Sequence, residues 1–232
     1  MIEVPRTSEF EIDVERVLAA LTASTKLIVI CSPNNPTGNP IAESDVLALL
    51  ESGRIVVIDE AYVEFSQRPG GFAHLVPHYR NLVVLRTFSK WAGLAGLRIG
   101  YGLSPEWIAS YMLQAQCPFE VNVAGYIAAI ETLTHLEHVL ANVQRITQER
   151  ERLFDMLKSQ SYLTPFPSQG NFILACLEDV DVKIEQVRAT VEEHGILLRY
   201  FQRPSMYNYF RATVGLPEHT DLLAQALARV RS

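Results

Sequence analysis

The sequence has few cysteines and no long apolar segment, and each absence excludes a class of protein. Its three cysteines, Cys31, Cys117 and Cys176, form no CxxC pair, so we expect neither a disulfide framework nor a zinc site. No apolar run approaches the roughly 18 residues that a membrane-spanning helix needs. The first residues also lack the basic start and apolar stretch of a signal peptide. We therefore expect a cytoplasmic protein with no membrane partner.

An excess of basic residues is also absent. The 20 Lys and Arg residues against 26 Asp and Glu give a formal net charge of −6 at pH 7, which argues against nucleic-acid binding. The histidine pairs His74 with His78 and His135 with His138 do not have the setting of a metal site, so we expect no metal. With 48% hydrophobic residues over 232 positions, the chain is long enough to bury a sizeable core.

Apolar runs that end in polar clusters organise the first half of the chain. The runs at 26–32, 54–62 and 81–89 show little polar alternation, which is typical of strands in a parallel α/β sheet. Helical segments lie between them, so right-handed crossovers are expected. Because chemistry in such sheets lies at the carboxyl ends of the strands, the clusters SPNNPTG, DEAY and TFSK form the candidate site.

From about residue 105 the pattern changes to long helical segments followed by mixed helices and strands. The stretch after residue 122 indicates at least one long helix, and the remainder has the pattern of an α+β lobe. We predict a partial large domain over residues 1–125, and a linking helix with a small C-terminal domain over residues 126–232.

The residues at the predicted strand ends form one chemical set. A lysine such as Lys90, held where a charge is costly, loses affinity for its proton and becomes a usable amine nucleophile. Asp59 can hold a proton on a heterocyclic nitrogen. Tyr62 and Asn35 offer a hydroxyl and an amide to an oxygen on the same ring.

Two further donors flank the lysine. Ser89 supplies a compact hydroxyl and Arg98 a planar guanidinium, and both suit a phosphate group. The whole set fits one cofactor, pyridoxal 5′-phosphate (PLP). Each residue taken alone would more often be an ordinary surface or core residue, so the prediction depends on the set.

Four ordered motifs, SPNNPTGNPI, VVIDEAYVEF, VVLRTFSKWAGLAGLRIGYG and NYFRATVG, resemble those of the class I/II, fold-type I, PLP-dependent aminotransferases. Within that family they are most similar to the histidinol-phosphate aminotransferases. The resemblance implies an α/β fold of type I, in which Lys90 bonds to the cofactor and moves the substrate proton, while Asp59 and Tyr62 are catalytic with it. It implies the following cofactor-binding residues: Asn35, Asp59, Tyr62, Ser89, Lys90 and Arg98.

The resemblance also implies a substrate site and a reaction. Arg211 and Asn35 would bind the substrate together with Arg199, for which an ordinary surface role is equally open. The implied reaction is transamination of histidinol phosphate, or of imidazole-acetol phosphate in reverse, with 2-oxoglutarate and glutamate as the second pair. The partners would be a small amino donor, a 2-oxo acid acceptor and a second copy of the chain in a homodimer.

One part of the family pattern has no counterpart here. Family members carry a longer N-terminal portion, with strands of the large domain and a phosphate-binding loop, before the equivalent of residue 1. We expect the sheet to expose an edge and an apolar face as a result. This leaves three alternatives open: an impaired remnant that acts only as an association module, an O-phospho-amino-acid decarboxylase, or an aromatic amino-acid transaminase.

Overall fold

A computed structural model of the protein describes residues 1–178 and 181–231. The chain forms two compact units, Met1–Asn35 with Asn39–Ala141, and Pro36–Gly38 with Asn142–Ser232. Compactness does not test whether a segment folds independently, so the domain limits expected from the sequence stay a prediction.

The first unit is built around a four-stranded sheet. Its helices and strands are α1 (Val14–Ala19), β1 (Leu27–Cys31), α2 (Glu43–Glu51), β2 (Ile55–Asp59), β3 (Leu82–Thr87), β4 (Gly100–Leu103), α3 (Glu106–Ala115) and α4 (Val123–Thr134). The strands lie in the order β1-β2-β3-β4. The first three are parallel, as their apolar runs predict, and β4 joins β3 antiparallel.

Local sequence explains how these elements begin and pack. The Asp13 carboxylate accepts the Arg16 N–H at 3.0 Å and caps α1. The α2 residues Val46 and Leu49 are fully buried against apolar side chains of β1, β2 and β3 in one core cluster. That core covers one face of the sheet and fixes the strand ends that carry the candidate site.

Strand β1 forms one edge of this sheet and exposes one of its faces. Leu27 and Val29 are 52% and 65% exposed, whereas Ile28 and Ile30 between and beside them are buried. This is the exposed edge and apolar face that the family resemblance led us to expect.

In the described part of the second unit, three helices pack on an antiparallel sheet. Helix α5 (Leu136–Lys158) begins in the first unit and ends in the second. It is followed by β5 (Leu163–Phe166), β6 (Phe172–Leu177), α6 (Ile184–Glu193), β7 (Arg199–Tyr200), β8 (Tyr209–Thr213) and α7 (Pro217–Ala228). The strand order is β5-β6-β8-β7, and Leu157, Phe210 and Leu227 are fully buried at the centre of its core.

Sequence patterns did not predict strand β5. Its segment LTPF contains Pro165, which is typical of a loop because proline lacks the N–H that a sheet ladder uses. Among the described residues this segment pairs with β6 and forms an edge of the sheet, and an edge is where a strand can contain proline.

Within residues 1–178 and 181–231, no helix is both long enough and apolar enough to cross a membrane.

Candidate active site

The carboxyl ends of β1, β2 and β3 lie side by side in the first unit. Cys31 at the end of β1 pairs with Asp59, and Asp59 pairs with Leu85 of β3. Beyond β1, the Ser32 N–H donates to the Asp59 carbonyl at 2.9 Å, and its hydroxyl accepts the Ile41 N–H at 3.0 Å. These bonds fix the start of the loop that carries Asn35.

Tyr62, in the loop after β2, contacts one residue from the loop after β1 and one from the loop after β3. Its side chain is 7% exposed. The amide Nδ2 of Asn35, from the loop after β1, donates to the Tyr62 hydroxyl at 3.5 Å. The Nζ of Lys90, from the loop after β3, lies 5.7 Å from the centroid of the Tyr62 ring. Three predicted site residues, separated in sequence by up to 55 positions, are therefore neighbours.

Lys90 differs in one respect from the sequence-based argument. That argument placed the amine where a charge is costly, but the side chain is exposed. The residue lies three positions beyond the end of β3, in a loop. The contact with the aromatic face of Tyr62, rather than deep burial, is what orients the ammonium group.

Asp59 ends the central parallel strand and is half-buried. Its Oδ1 accepts the Ala61 N–H at 3.0 Å, which holds the carboxylate at the strand end. Burial, followed by the nearby Asp59 charge, raises the pKa of the Cys31 thiol, while Arg6 lowers it. Cys31 is consequently a weak nucleophile at neutral pH, and the amine of Lys90 is the candidate nucleophile at this edge.

The two predicted phosphate donors occupy the loop between β3 and β4. The Ser89 hydroxyl lies 2.8 Å from that of Thr87, which also accepts the Ser89 N–H at 3.0 Å. Arg98 is exposed, and its Nη1 donates to the Ala95 carbonyl at 3.0 Å. Thr87 was not identified from the sequence, although a hydroxyl two residues before Ser89 is a recognisable turn signal.

Two glutamates follow β2, Glu60 and the partly buried Glu64, and the sequence did not indicate their burial. Glu60 is fully buried; its Oε1 accepts the Phe72 N–H at 2.6 Å and its Oε2 pairs with Arg86 at 2.8 Å. Burial raises the pKa of Glu64 to about 7. Its Oε2 is buried and has no hydrogen-bond partner among the described residues. The motif DEAY shows that acidic residues end β2, but nothing in it indicates that Arg86, 26 positions further on, pairs with Glu60.

The two predicted substrate arginines lie on the sheet of the second unit. Arg199 of β7 and Arg211 of β8 are directly opposite each other in the antiparallel register, so their side chains lie on the same face. The Arg211 guanidinium carbon is also 5.1 Å from the centroid of the Phe172 ring. This places two positive charges side by side.

The donor set of the first unit fits PLP. It provides an amine at Lys90, a carboxylate at Asp59 for a ring nitrogen, and two polar groups, Asn35 and Tyr62, that already contact each other and suit a ring oxygen. Of the phosphate donors, Ser89 is near the lysine in the same loop, and Arg98 ends the turn that follows it.

Comparison with known proteins gives consistent matches along the chain. The profile of the family described as "Aminotransferase class I and II" matches residues 1–228. Histidinol-phosphate aminotransferase of Dehalococcoides mccartyi is 44% identical over 99% of this chain and 63% of its own length. The protein of that name from Roseiflexus castenholzii is 43% identical over 99% of this chain and 62% of its own length. The chain thus spans somewhat less than two thirds of the curated relatives it matches.

A solved structure gives the same result for the fold. The crystal structure of histidinol-phosphate aminotransferase from Sinorhizobium meliloti in complex with pyridoxal-5′-phosphate matches with a TM-score of 0.86. It is 28% identical, and the match covers 99% of this chain and 63% of that one. The predicted α/β fold of type I is confirmed.

Proposed function

The chain belongs to the aminotransferase class I and II family, as its motifs predicted, and we propose that it acts as a PLP-dependent aminotransferase on histidinol phosphate. The observation that carries this proposal is the meeting of Asn35 and Lys90 at the Tyr62 side chain. It brings an amine, a hydroxyl and an amide together beyond the carboxyl ends of the strands, and Asp59 is the last residue of the middle parallel strand.

When bound, PLP supplies an aldehyde that condenses with amines and a protonated ring that accepts the electron pair released at the substrate α-carbon. Lys90 would hold the aldehyde through its Nζ and would carry the proton of the substrate α-carbon. Asp59 would hold the ring nitrogen in its protonated form, and the Ala61 N–H already orients its carboxylate. Tyr62 and Asn35 would orient the ring through its oxygen, and Ser89 and Arg98 would bind the phosphate.

The paired arginines of the second unit support an anionic substrate. Arg199 and Arg211 are opposite each other on one face of the sheet, and a guanidinium binds a phosphate or a carboxylate through charge-assisted hydrogen bonds. Both histidinol phosphate and 2-oxoglutarate carry such groups. We therefore assign the substrate's acidic end to these two residues.

A homodimer is part of the same proposal. Helix α4 presents apolar side chains at 123, 126, 127, 130 and 133, the spacing of one helix face, and Val123, Tyr126 and Leu133 are 73%, 60% and 56% exposed. Exposed apolar faces of this extent mark interaction surfaces. Sedimentation velocity should give twice the monomer mass, and a monomer at micromolar concentration would contradict this part of the proposal.

The function is tested by the half-reaction. The PLP-loaded chain, incubated with histidinol phosphate, should convert PLP to pyridoxamine phosphate, which chromatography quantifies. Lys90→Ala should abolish the conversion, whereas Lys26→Ala should not, because Lys26 is exposed at the opposite end of β1. Release of carbon dioxide from O-phospho-amino acids would favour the decarboxylase alternative. Binding of PLP without conversion by any amino donor would favour an association module.

A further inference from the structure

Arg98 has a backbone conformation that side chains rarely adopt. It ends the short 3₁₀ turn Ala95–Leu97 in the left-handed region, with φ 55° and ψ 45°. A non-glycine residue persists there only when its surroundings enforce the conformation. The direction of the Arg98 guanidinium therefore depends on the contacts that stabilise the turn Ala95–Leu97.

The side chain of Asn122 holds the turn from outside. Its Nδ2 donates to the Leu97 carbonyl at 2.8 Å, in the residue immediately before Arg98. Its Oδ1 accepts the Gly125 N–H at 2.8 Å and so caps helix α4. The Asn122 amide thus joins the start of α4 to a turn 25 positions earlier. Capping the helix requires only the bond to Gly125, so the bond to Leu97 is additional.

Gly125 makes this close approach possible. The residue is buried, and a Cβ atom at this position would lie 3.0 Å from the Leu97 carbonyl oxygen and 3.1 Å from the Asn122 Nδ2. Those distances are tighter than ordinary contacts, so a side chain here would push the helix start away from the turn.

We propose that Asn122 is a positioning residue that keeps Arg98 directed at the phosphate group of the cofactor. The inference rests on the proposed function, in which Arg98 binds that phosphate. Without the Nδ2 donor, the Leu97 carbonyl is released and the left-handed turn relaxes, so the guanidinium loses its preset direction. A guanidinium carries five N–H donors in a rigid fork, and its contribution to phosphate binding depends on that direction.

The test separates phosphate recognition from general stability. The dissociation constants of PLP and of pyridoxal, which lacks the phosphate, are measured by absorbance titration. Asn122→Ser keeps a good N-cap but is too short to reach Leu97. It should weaken PLP binding about five- to tenfold, the size of one hydrogen bond, and change pyridoxal binding less than twofold. Gly125→Ala should act in the same direction, and Asp13→Ser, at the N-cap of α1, should change neither constant.

A double mutant tests whether the effect passes through Arg98. In an Arg98→Ala background, Asn122→Ser should cause no further loss of PLP affinity. An equal loss for both ligands, or an undiminished effect in that background, would overturn the inference while leaving the proposed function intact. A wild-type chain that binds PLP no more tightly than pyridoxal would overturn both. Amide hydrogen exchange of residues 94–99 without ligand should be faster in Asn122→Ser, and unchanged exchange would also contradict the inference.

Discussion

The partly buried carboxyl of Glu64 makes the stability of the first unit depend on pH. Burial raises its pKa from 4.5 to about 7, against the opposing effect of the nearby Arg86 charge. The native state therefore binds the Glu64 proton more tightly than the unfolded state between these values. Stability contributed by the protonated carboxyl is present below about pH 4.5 and is lost as the pH rises toward 7.

The size of this effect follows from the shift. A change of one pKa unit corresponds to about 1.4 kcal/mol, so the full shift corresponds to about 3 kcal/mol. Because Glu64 keeps some exposure, solvent screening reduces the expected change to about 1–3 kcal/mol. Glu64→Gln has no carboxyl to titrate and should lack this pH dependence. Its free energy of unfolding should therefore rise by about 1–3 kcal/mol relative to the wild type between pH 4.5 and pH 8.

Urea unfolding followed by tryptophan fluorescence measures the difference. Both tryptophans, Trp91 and Trp107, lie in the first unit with Glu64. Glu9→Gln is a matched control at an exposed position and should show no such pH dependence relative to the wild type. A stability difference between Glu64→Gln and wild type that is constant from pH 4.5 to pH 8, or that changes in the opposite direction, would refute this reasoning.

Three further predictions concern stability. Arg86→Met leaves the fully buried Glu60 without its ion-pair partner and should cost about 3–5 kcal/mol in urea unfolding; a cost below 1 kcal/mol would contradict the pairing. Phe210→Ala empties a fully buried site in the second core and should cost about 3–5 kcal/mol by circular dichroism, whereas a loss under 1 kcal/mol would place Phe210 outside a packed core. Asp13→Ala should cost about 1 kcal/mol through loss of the α1 cap, and Asp13→Asn should restore most of it; equal stability of the two variants would show that the cap contributes nothing.

Much of the first unit could be predicted because its signals are local. The apolar runs and the polar clusters after each strand lie within a few residues of the structure they specify. The rule that parallel strands carry chemistry at their carboxyl ends then predicts that Asn35, Tyr62 and Lys90 lie together, as they do.

The features that were missed depend on distant pairs. Glu60 with Arg86 and Asn122 with Leu97 are joined across 26 and 25 positions. The family resemblance had placed Arg199 and Arg211 in one pocket, but no local pattern in the sequence specifies the register of β7 on β8 that sets them opposite each other. Strand β5 was missed because the penalty for Pro165 disappears at a sheet edge.

The most direct test is to find which lysine PLP attaches to. The chain is incubated with PLP, reduced with borohydride to make the linkage permanent, digested and analysed by mass spectrometry. We predict that the cofactor mass appears on the peptide containing Lys90 and that Asp59→Ala lowers the yield. Label absent from Lys90, or spread equally over Lys26, Lys158 and Lys183, would contradict the assignment of the site.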